Sequence, residues 1–428
     1  MTGVSVSSAP ASGMRDFLPV EAALRDWATA SLVKTYEKFG FTRIETPIIE
    51  NINQLRRGDG GENLQLIFEI LKRGEKLDKT LAEPVVARDD LADLGLRFDL
   101  TVPLVRFYAN NQGTLPNPFK AIQIGSVFRA ESPQAGRYRQ FTQCDIDTFG
   151  IKSETAEIEL IEATSEALLE LGFEQFTVRL NDRRVLATLA EFCGFDPTRQ
   201  DNLFIQIDKL DKLGVGGVAA ELVINGHPRE AVDKLTGIFG ELGIGTANSI
   251  TPNQFIPEKC DPAVIERLNI VLSSIKHVAS GKYNIVFDPT LVRGMGYYTG
   301  QIFEISAAGV SYSIAGGGRY DKMVGKMSGR DVPAVGFSIG FERIISILMD
   351  QKLGPTTSAG KIAFIFDPDR DDIMTVFQKA KELRSGDQIV SLLPRKKDLR
   401  KQLDQLATQG FQSHAQMRGA ELEIKDFQ

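Results

Sequence analysis

Between Gly125 and Gly150 the chain gathers groups suited to holding a small charged molecule. Arginines stand at Arg129, Arg137 and Arg139, and amide and carboxylate side chains at Gln143, Asp145 and Asp147. Guanidinium forks grip phosphate oxygens in pairs, while carboxylates accept from an amine. Together they suit a ligand with both phosphates and an ammonium group. The stretch reads as two strands around a loop, with turn chemistry at Ser132-Pro133 and Gly136. On the second strand the two-residue period sets Gln143, Asp145 and Asp147 on one face, with Cys144, Ile146 and Thr148 on the other. Taken alone, a surface hairpin with solvated charges would look the same.

Further candidates are spread along the chain. Asp99 and Thr101 share one side of an extended segment ahead of Pro103, where capping of the following helix is an equal explanation. Asp288 to Gly300 carries Arg293, glycines that let a ligand approach the backbone, and the adjacent Tyr297 and Tyr298. Ala315-Gly-Gly-Gly-Arg-Tyr-Asp321 reads as a turn after a hairpin formed by Gln301–Ser306 and Val310–Ile314. Val332 to Arg343 reads as a strand feeding a helix, with small residues at Gly336, Ser338 and Gly340. Arg343 near that helix start opposes the macrodipole, so a bound anion explains it better than stability does.

The elements around these residues alternate helix and strand. Leu24, Trp27, Ala28, Leu32 and Tyr36 pattern a helix over about Val20–Phe39, followed by a strand over Phe41–Glu50 interrupted at Pro47. Arg57–Glu62 is polar and glycine-rich, a loop expected to move. Glu154–Leu171 is a helix. Around Ile207–Leu213 the chain is helical, and Gly214, Gly216 and Gly217 follow no strand, so they read as a turn and not a phosphate loop. From Gly360 a strand, helix, strand and helix form a separate α/β unit, with Leu422 and Ile424 suggesting a last strand. Its run of Arg395, Lys396, Lys397, Arg400 and Lys401 is the densest basic patch, either a solvated helix face or an RNA contact.

At 428 residues the chain exceeds one ordinary core. A net charge of −6 leaves nucleic-acid contact to local patches. Three cysteines and three histidines without paired spacing argue against a disulfide framework or structural zinc and fit a reducing cytoplasm. No apolar run approaches a membrane span, and no signal-like start is present.

Over nearly its whole length the chain resembles the histidyl-tRNA synthetases, class II aminoacyl-tRNA synthetases. The Pro47 segment resembles motif one of that class, the Gly125–Gly150 hairpin motif two, and Gly336–Arg343 motif three. Leu291-Val-Arg-Gly-Met-Gly-Tyr-Tyr298 is similar to the histidine signature Arg-Gly-Leu-Asp-Tyr-Tyr, and Ala315–Asp321 to a second one. The resemblance implies an α+β fold: an antiparallel sheet flanked by helices, a helical insertion and a C-terminal α/β anticodon-binding-like domain. The implied boundaries are a flexible N-terminus at 1–12, a catalytic domain over 13–172 and 281–350, an insertion over 173–280, a linker at 351–359 and the last domain at 360–428.

It also implies a homodimer built partly through motif one, and ATP with Mg2+, L-histidine and histidine tRNA as ligands. Arg129 and Arg293 would hold the α-phosphate from two sides, Arg293 where many class II enzymes place a metal, so that no protein-only metal motif is expected. Arg343 would hold the γ-phosphate, and Arg137 would help with ATP. Asp99, Thr101 and Asp147 would take the histidine ammonium, Gln143 its carboxylate, and Tyr297 and Tyr298 its ring. Gln134 would meet the tRNA acceptor end. Gly296 departs from the signature's aspartate and removes a carboxylate beside Arg293. Asp99 and Asp147 stand where bacterial members often carry glutamate. A regulatory subunit of ATP phosphoribosyltransferase shares this fold and is the alternative, though such proteins commonly drop phosphate-binding arginines that are present here.

Overall fold

The computed structural model describes residues 8–58, 65–132, 138–242, 251–255, 259–294, 296–310, 312–355, 360–386, 388–419 and 421–427. The chain forms two compact units, Met1–Gly354 and Pro355–Gln428.

The first unit is built on an eight-stranded sheet. Its strands run, edge to edge, Thr42–Arg43, Phe119–Phe128, Gln140–Phe149, Ala334–Gly340, Ser313–Arg319, Gln301–Ala307, Phe176–Asp182 and Asn284–Phe287. The inner pairings are antiparallel, and the pair at each edge is parallel. The register makes each face legible. Ile122, Ile146, Phe337, Gly317, Phe303 and Leu180 stand opposite one another in turn, as do Ile124, Cys144, Ile339, Ala315, Ile305 and Val178. These apolar rows bury against helices Pro19–Lys38, Thr155–Glu170, Pro262–Ala279 and Phe341–Asp350. Leu24, Ala28, Leu32 and Tyr36 recur at helical spacing and supply the first helix's buried stripe.

The other face carries helix Thr101–Asn111, the helical segments between Arg183 and Leu242, and a small three-stranded sheet of Ile49–Asn51, Ala92–Leu96 and Glu69–Leu71. This face holds the candidate site.

Several expectations change. Phe41–Glu50 is not one interrupted strand: Thr42–Arg43 joins the large sheet and Ile49–Asn51 the small one. Between them Thr46 turns inward, its hydroxyl donating to Gln123 at 2.9 Å and its carbonyl accepting from Arg97 at 2.8 Å. Thr101 is the first residue of its helix and not extended. The triple glycine is no turn but the core of strand Ser313–Arg319, where Arg293 lies over Gly316 and the neighbouring strands crowd Gly317 and Gly318. Strand Phe176–Asp182 and helix Pro262–Ala279, inside the 173–280 insertion boundaries, belong to the central layers, since Phe176, Val178, Leu180, Val264, Leu268 and Val271 bury in the main core. Residues 1–7 of the N-terminus and 59–62 of the Arg57–Glu62 loop lie outside the described residues.

The C-terminal unit has a four-stranded sheet in the order Ile389–Pro394, Lys361–Phe366, Ser413–Arg418, Glu421–Asp426, with only the last pair antiparallel. Helices Ile373–Arg384 and Leu399–Thr408 pack on it, each capped by an aspartate at its start, Asp372 and Asp398. The second helix starts at Leu399, three residues after Lys396, because Asp398 accepts from the Lys401 N–H. Strand Ser413–Arg418 escapes the apolar pattern, being half polar. Among the described residues no helix is long and apolar enough to cross a membrane.

Candidate active site

The floor of the site is a polar row on the face away from the apolar core. Gln123, Asp145, Ser338, Gly316, Glu304 and Arg179 stand opposite one another across six strands. One step along the strands, Ala121, Asp147, Gly336, Gly318, Ile302 and Asn181 form the adjoining row. The small residues in mid-row are required by close approach. A Cβ on Gly316 would lie 2.5 Å from the Arg293 Cζ, and one on Gly336 would collide with the Asp147 carboxylate. Glycine therefore lets a guanidinium lie flat on the sheet next to buried acids.

Those acids are the unusual feature. Asp99, Asp145 and Asp147 are 2–3% exposed. Asp147 accepts from the Tyr320 hydroxyl at 2.5 Å through one oxygen, while the other has no partner among the described residues. One oxygen of Asp145 and the amide oxygen of Gln143 are likewise buried and unmatched there. Burial pushes the Asp147 carboxyl up to about 7, with Tyr320 pulling it down and Asp99 adding to the rise. Burial raises Asp145 well above the carboxylate range too, as does Asp147, while Ser338 and Arg129 favour its charge. Like charges packed without counter-charge are costly, and an ammonium placed among them relieves that cost.

Cations flank the acids. Arg129 donates from Nε to the Phe98 carbonyl at 3.1 Å and lies 5.1 Å over the Phe141 ring. Arg293 donates to Glu304 at 2.7 Å. Burial works against its charge, but Glu304, Tyr298 and Asp208 hold the guanidinium above the usual arginine range. Its Nε is buried and has no hydrogen-bond partner among the described residues. Tyr297 and Tyr298 pack edge to face at 4.8 Å, and Tyr297 lies 6.0 Å from Tyr320, so three rings cluster beside Asp147. Burial raises the Tyr298 and Tyr320 hydroxyls, which keeps them neutral donors.

Other candidates fall around this centre. Gln143 donates to Ser338 at 3.2 Å and pairs in register with Gly340. Arg343 leaves the first turn of the helix after that strand, donates to the Ser313 carbonyl at 2.5 Å and lies 5.2 Å over the Tyr312 ring. Asp99 accepts from the Val102 N–H at 3.1 Å, so it caps its helix while facing the other acids. Thr101 is buried beside it. Gln123 secures this corner by donating to the Leu100 carbonyl at 3.0 Å. Arg139, expected among the loop cations, instead donates to the Glu131 carbonyl at 2.9 Å. Gln134 and Arg137 lie outside the described residues. Arg395, Lys396, Lys397 and Arg400 are exposed in the C-terminal unit.

Sequence reading does not single out Glu304, Ser338 and Tyr320 as site residues. Asp145 is visible on the polar strand face; these three emerge only from the pairing of strands distant in sequence. Glu304 also supplies beside Arg293 a carboxylate of the kind Gly296 removes. No group of three or more His, Cys, Asp or Glu side chains among the described residues is placed to hold a metal ion.

The sequence profile described as Histidyl-tRNA synthetase matches residues 13–344. The histidine–tRNA ligase of Leifsonia xyli subsp. xyli is 43% identical over 415 residues, 95% of this chain and 94% of its own length. That of Christiangramia forsetii is 35% identical over 406 residues, 91% of this chain and 88% of its own. The crystal structure of histidyl-tRNA synthetase from Nostoc sp. PCC 7120 matches with a TM-score of 0.76 and 27% identity, covering 98% of this chain and 95% of that one. A structure described as an ATP phosphoribosyltransferase regulatory subunit/histidyl-tRNA synthetase from Bacillus halodurans matches with a TM-score of 0.74 at 19% identity, covering 97% of this chain and 99% of that one, a likeness of fold alone. The ligase relatives, matched over most of the chain, favour the ligase over the regulatory subunit. The chain belongs to the histidyl-tRNA synthetase family.

Proposed function

We propose that the pocket above the Asp145 row is where this histidine–tRNA ligase activates its amino acid. The observation that carries the reading is the set of buried, partly unmatched carboxyl and amide oxygens of Gln143, Asp145 and Asp147, with Arg129 beside Asp145 and Arg293 on Gly316. Asp99, Thr101 and Asp147 receive the ammonium of histidine, Gln143 contacts its carboxylate, and Tyr297 and Tyr298 line the imidazole. A carboxylate oxygen of histidine attacks the α-phosphorus of ATP, the bond to the bridging oxygen breaks, and pyrophosphate leaves with the released charge. A hydroxyl of the terminal adenosine of the tRNA then attacks the carbonyl carbon, expelling AMP.

The first step joins two anions, so the protein's work is alignment and charge neutralisation. Arg129 and Arg293 approach the α-phosphate from two sides, Arg343 the γ-phosphate, and Arg137 the rest of the nucleotide. Magnesium arriving with ATP would add to this charge neutralisation. Gln134 meets the acceptor end of the tRNA, and the C-terminal unit, with Arg395, Lys396, Lys397 and Arg400, contacts the anticodon arm. The enzyme works in the cytoplasm as a homodimer formed partly through the Pro47 segment.

Histidine-dependent ATP–pyrophosphate exchange tests the reading. Arg293→Ala is expected to lower kcat by about a hundredfold or more while leaving histidine affinity nearly unchanged, since its contribution arises mainly in the transition state. Equal losses in both would make it a ground-state binding group, and absence of exchange in the folded parent protein would refute the enzyme reading.

A further inference from the structure

Asp208 ends the eight-residue helix Gln200–Ile207, where the macrodipole disfavours an anion. Helix stability therefore does not explain a carboxylate there. It reaches instead to the loop that carries Arg293. A Cβ on Gly294 would lie 3.0 Å from Asp208 Oδ2, so the carboxylate lies close against the backbone next to Arg293. Asp208 is itself exposed to solvent, and the Arg293 guanidinium and the Gly294 N–H favour its charge.

Three residues further on, Asp211 makes a second link. Arg179 donates to Asp211 at 2.9 Å and to Glu304 at 3.4 Å, and Glu304 accepts from Arg293 at 2.7 Å. Arg179 is itself held by Asp288 at 2.6 Å. The chain of contacts thus leaves the insertion at Asp211, crosses the sheet through Arg179 and Glu304 and reaches Arg293, while Asp208 packs on the next residue of that loop, Gly294. Both aspartates lie on the single turn Asp208-Lys-Leu-Asp211.

We propose that Asp208 is a positioning residue for Arg293, and that through it and Asp211 the helical insertion sets where the guanidinium sits over the sheet. This rests on the reading of Arg293 as the α-phosphate ligand. Asp208 touches no substrate; it acts by narrowing the positions open to Arg293 and Gly294. A misplacement of about 1 Å in a reacting assembly can cost about a hundredfold in rate. The effect should therefore fall on kcat and not on histidine binding.

The test uses the full chain carrying Asp208→Ala, Asp208→Asn, Arg293→Ala and the double variant Asp208→Ala/Arg293→Ala, with thermal melts to confirm folding. Asp208→Ala should lower kcat for pyrophosphate exchange by about tenfold or more with little change in the KM for histidine. Asp208→Asn, which keeps an acceptor for the Gly294 N–H but no charge, should fall between it and the parent. Once Arg293 is gone, adding Asp208→Ala should cost nothing more, because its effect passes through the guanidinium. The proposal is overturned if folded Asp208→Ala has parental kcat, or if its loss is as large without Arg293 as with it. Full exchange by Arg293→Ala would overturn the underlying role of Arg293 as well, and that single variant distinguishes the two failures.

Discussion

At the scale of residues, the proposed histidine site gathers buried carboxyls whose electrostatic cost a bound ammonium would relieve. Asp147 stands in strand Gln140–Phe149, is 2% exposed, and shares its surroundings with Asp99 and Asp145. Its folded-state pKa, about 7, lies above the ordinary value of 3.8. Between those values the folded chain holds a proton that the unfolded chain has lost. The stability this contributes is complete below the ordinary value and disappears as pH rises through about 7, at up to about 1.4 kcal/mol per pH unit. Melts of the ligand-free protein from mildly acidic to mildly basic pH should show Asp147→Asn gaining on the parent across that window. A difference independent of pH would mean that Asp147 does not titrate there. The same variant should bind histidine about tenfold or more weakly, because a charge-assisted hydrogen bond is lost. The alternation of strand residues was enough to put Gln143, Asp145 and Asp147 on one face from sequence. What sequence could not supply was the register that sets Ser338 and Glu304 in the same row, or the contact that brings Tyr320 to Asp147.

At the scale of elements, pairs of charges tie the helices to the sheet. Arg319, in the glycine-rich second signature, is not turned to the pocket. Its guanidinium donates at 2.6 Å to both oxygens of Glu157 in helix Thr155–Glu170 and reaches the carbonyls of Ile151 and Ser153. The pair is nearly buried, with side chains 7% and 2% exposed. Arg25 similarly grips Glu342 at 2.7 and 2.9 Å and Thr142 at 3.0 Å, joining the first helix, the hairpin and the helix that bears Arg343. Removing one partner of a buried pair leaves an uncompensated charge, at a cost of about 3–5 kcal/mol. Arg319→Ala should therefore lower the urea midpoint markedly, and Arg319→Met combined with Glu157→Gln should recover much of the loss. A midpoint unchanged in Arg319→Ala, with weakened histidine binding, would return Arg319 to the pocket. The long helices were readable from their apolar stripes. The triple-glycine strand was not, because its conformation is set by what packs on it: Arg293 over Gly316, Phe303 and the Gly336 carbonyl against Gly317, and Tyr298 on Gly318. Local propensity for a turn yields there to tertiary packing.

At the scale of the molecule, the two units divide the chemistry expected of a synthetase. The first holds every described residue of the proposed activation site, whereas the densest basic run lies in the second. Within that unit Arg395, Lys396 and Lys397 follow the end of strand Ile389–Pro394, and Arg400 lies in the first turn of the next helix. Their backbone is not loose. The Arg395 N–H donates to the Phe366 carbonyl at 2.7 Å, and buried Gln402 accepts from the Lys396 N–H at 2.8 Å and donates to the Pro394 carbonyl at 3.0 Å. Exposed basic side chains carried on such an anchored backbone, beyond the ends of parallel strands, would suit a phosphate backbone. Replacing Lys396, Lys397 and Arg400 together by alanine should raise the KM for histidine tRNA by about tenfold at moderate salt and flatten the salt dependence of charging, because fewer counterions are released on binding. Pyrophosphate exchange, which uses no tRNA, should keep its parental rate. Unchanged charging across the salt series would show the patch to be a solvated face, and a parallel fall in exchange would place its effect in the activation step.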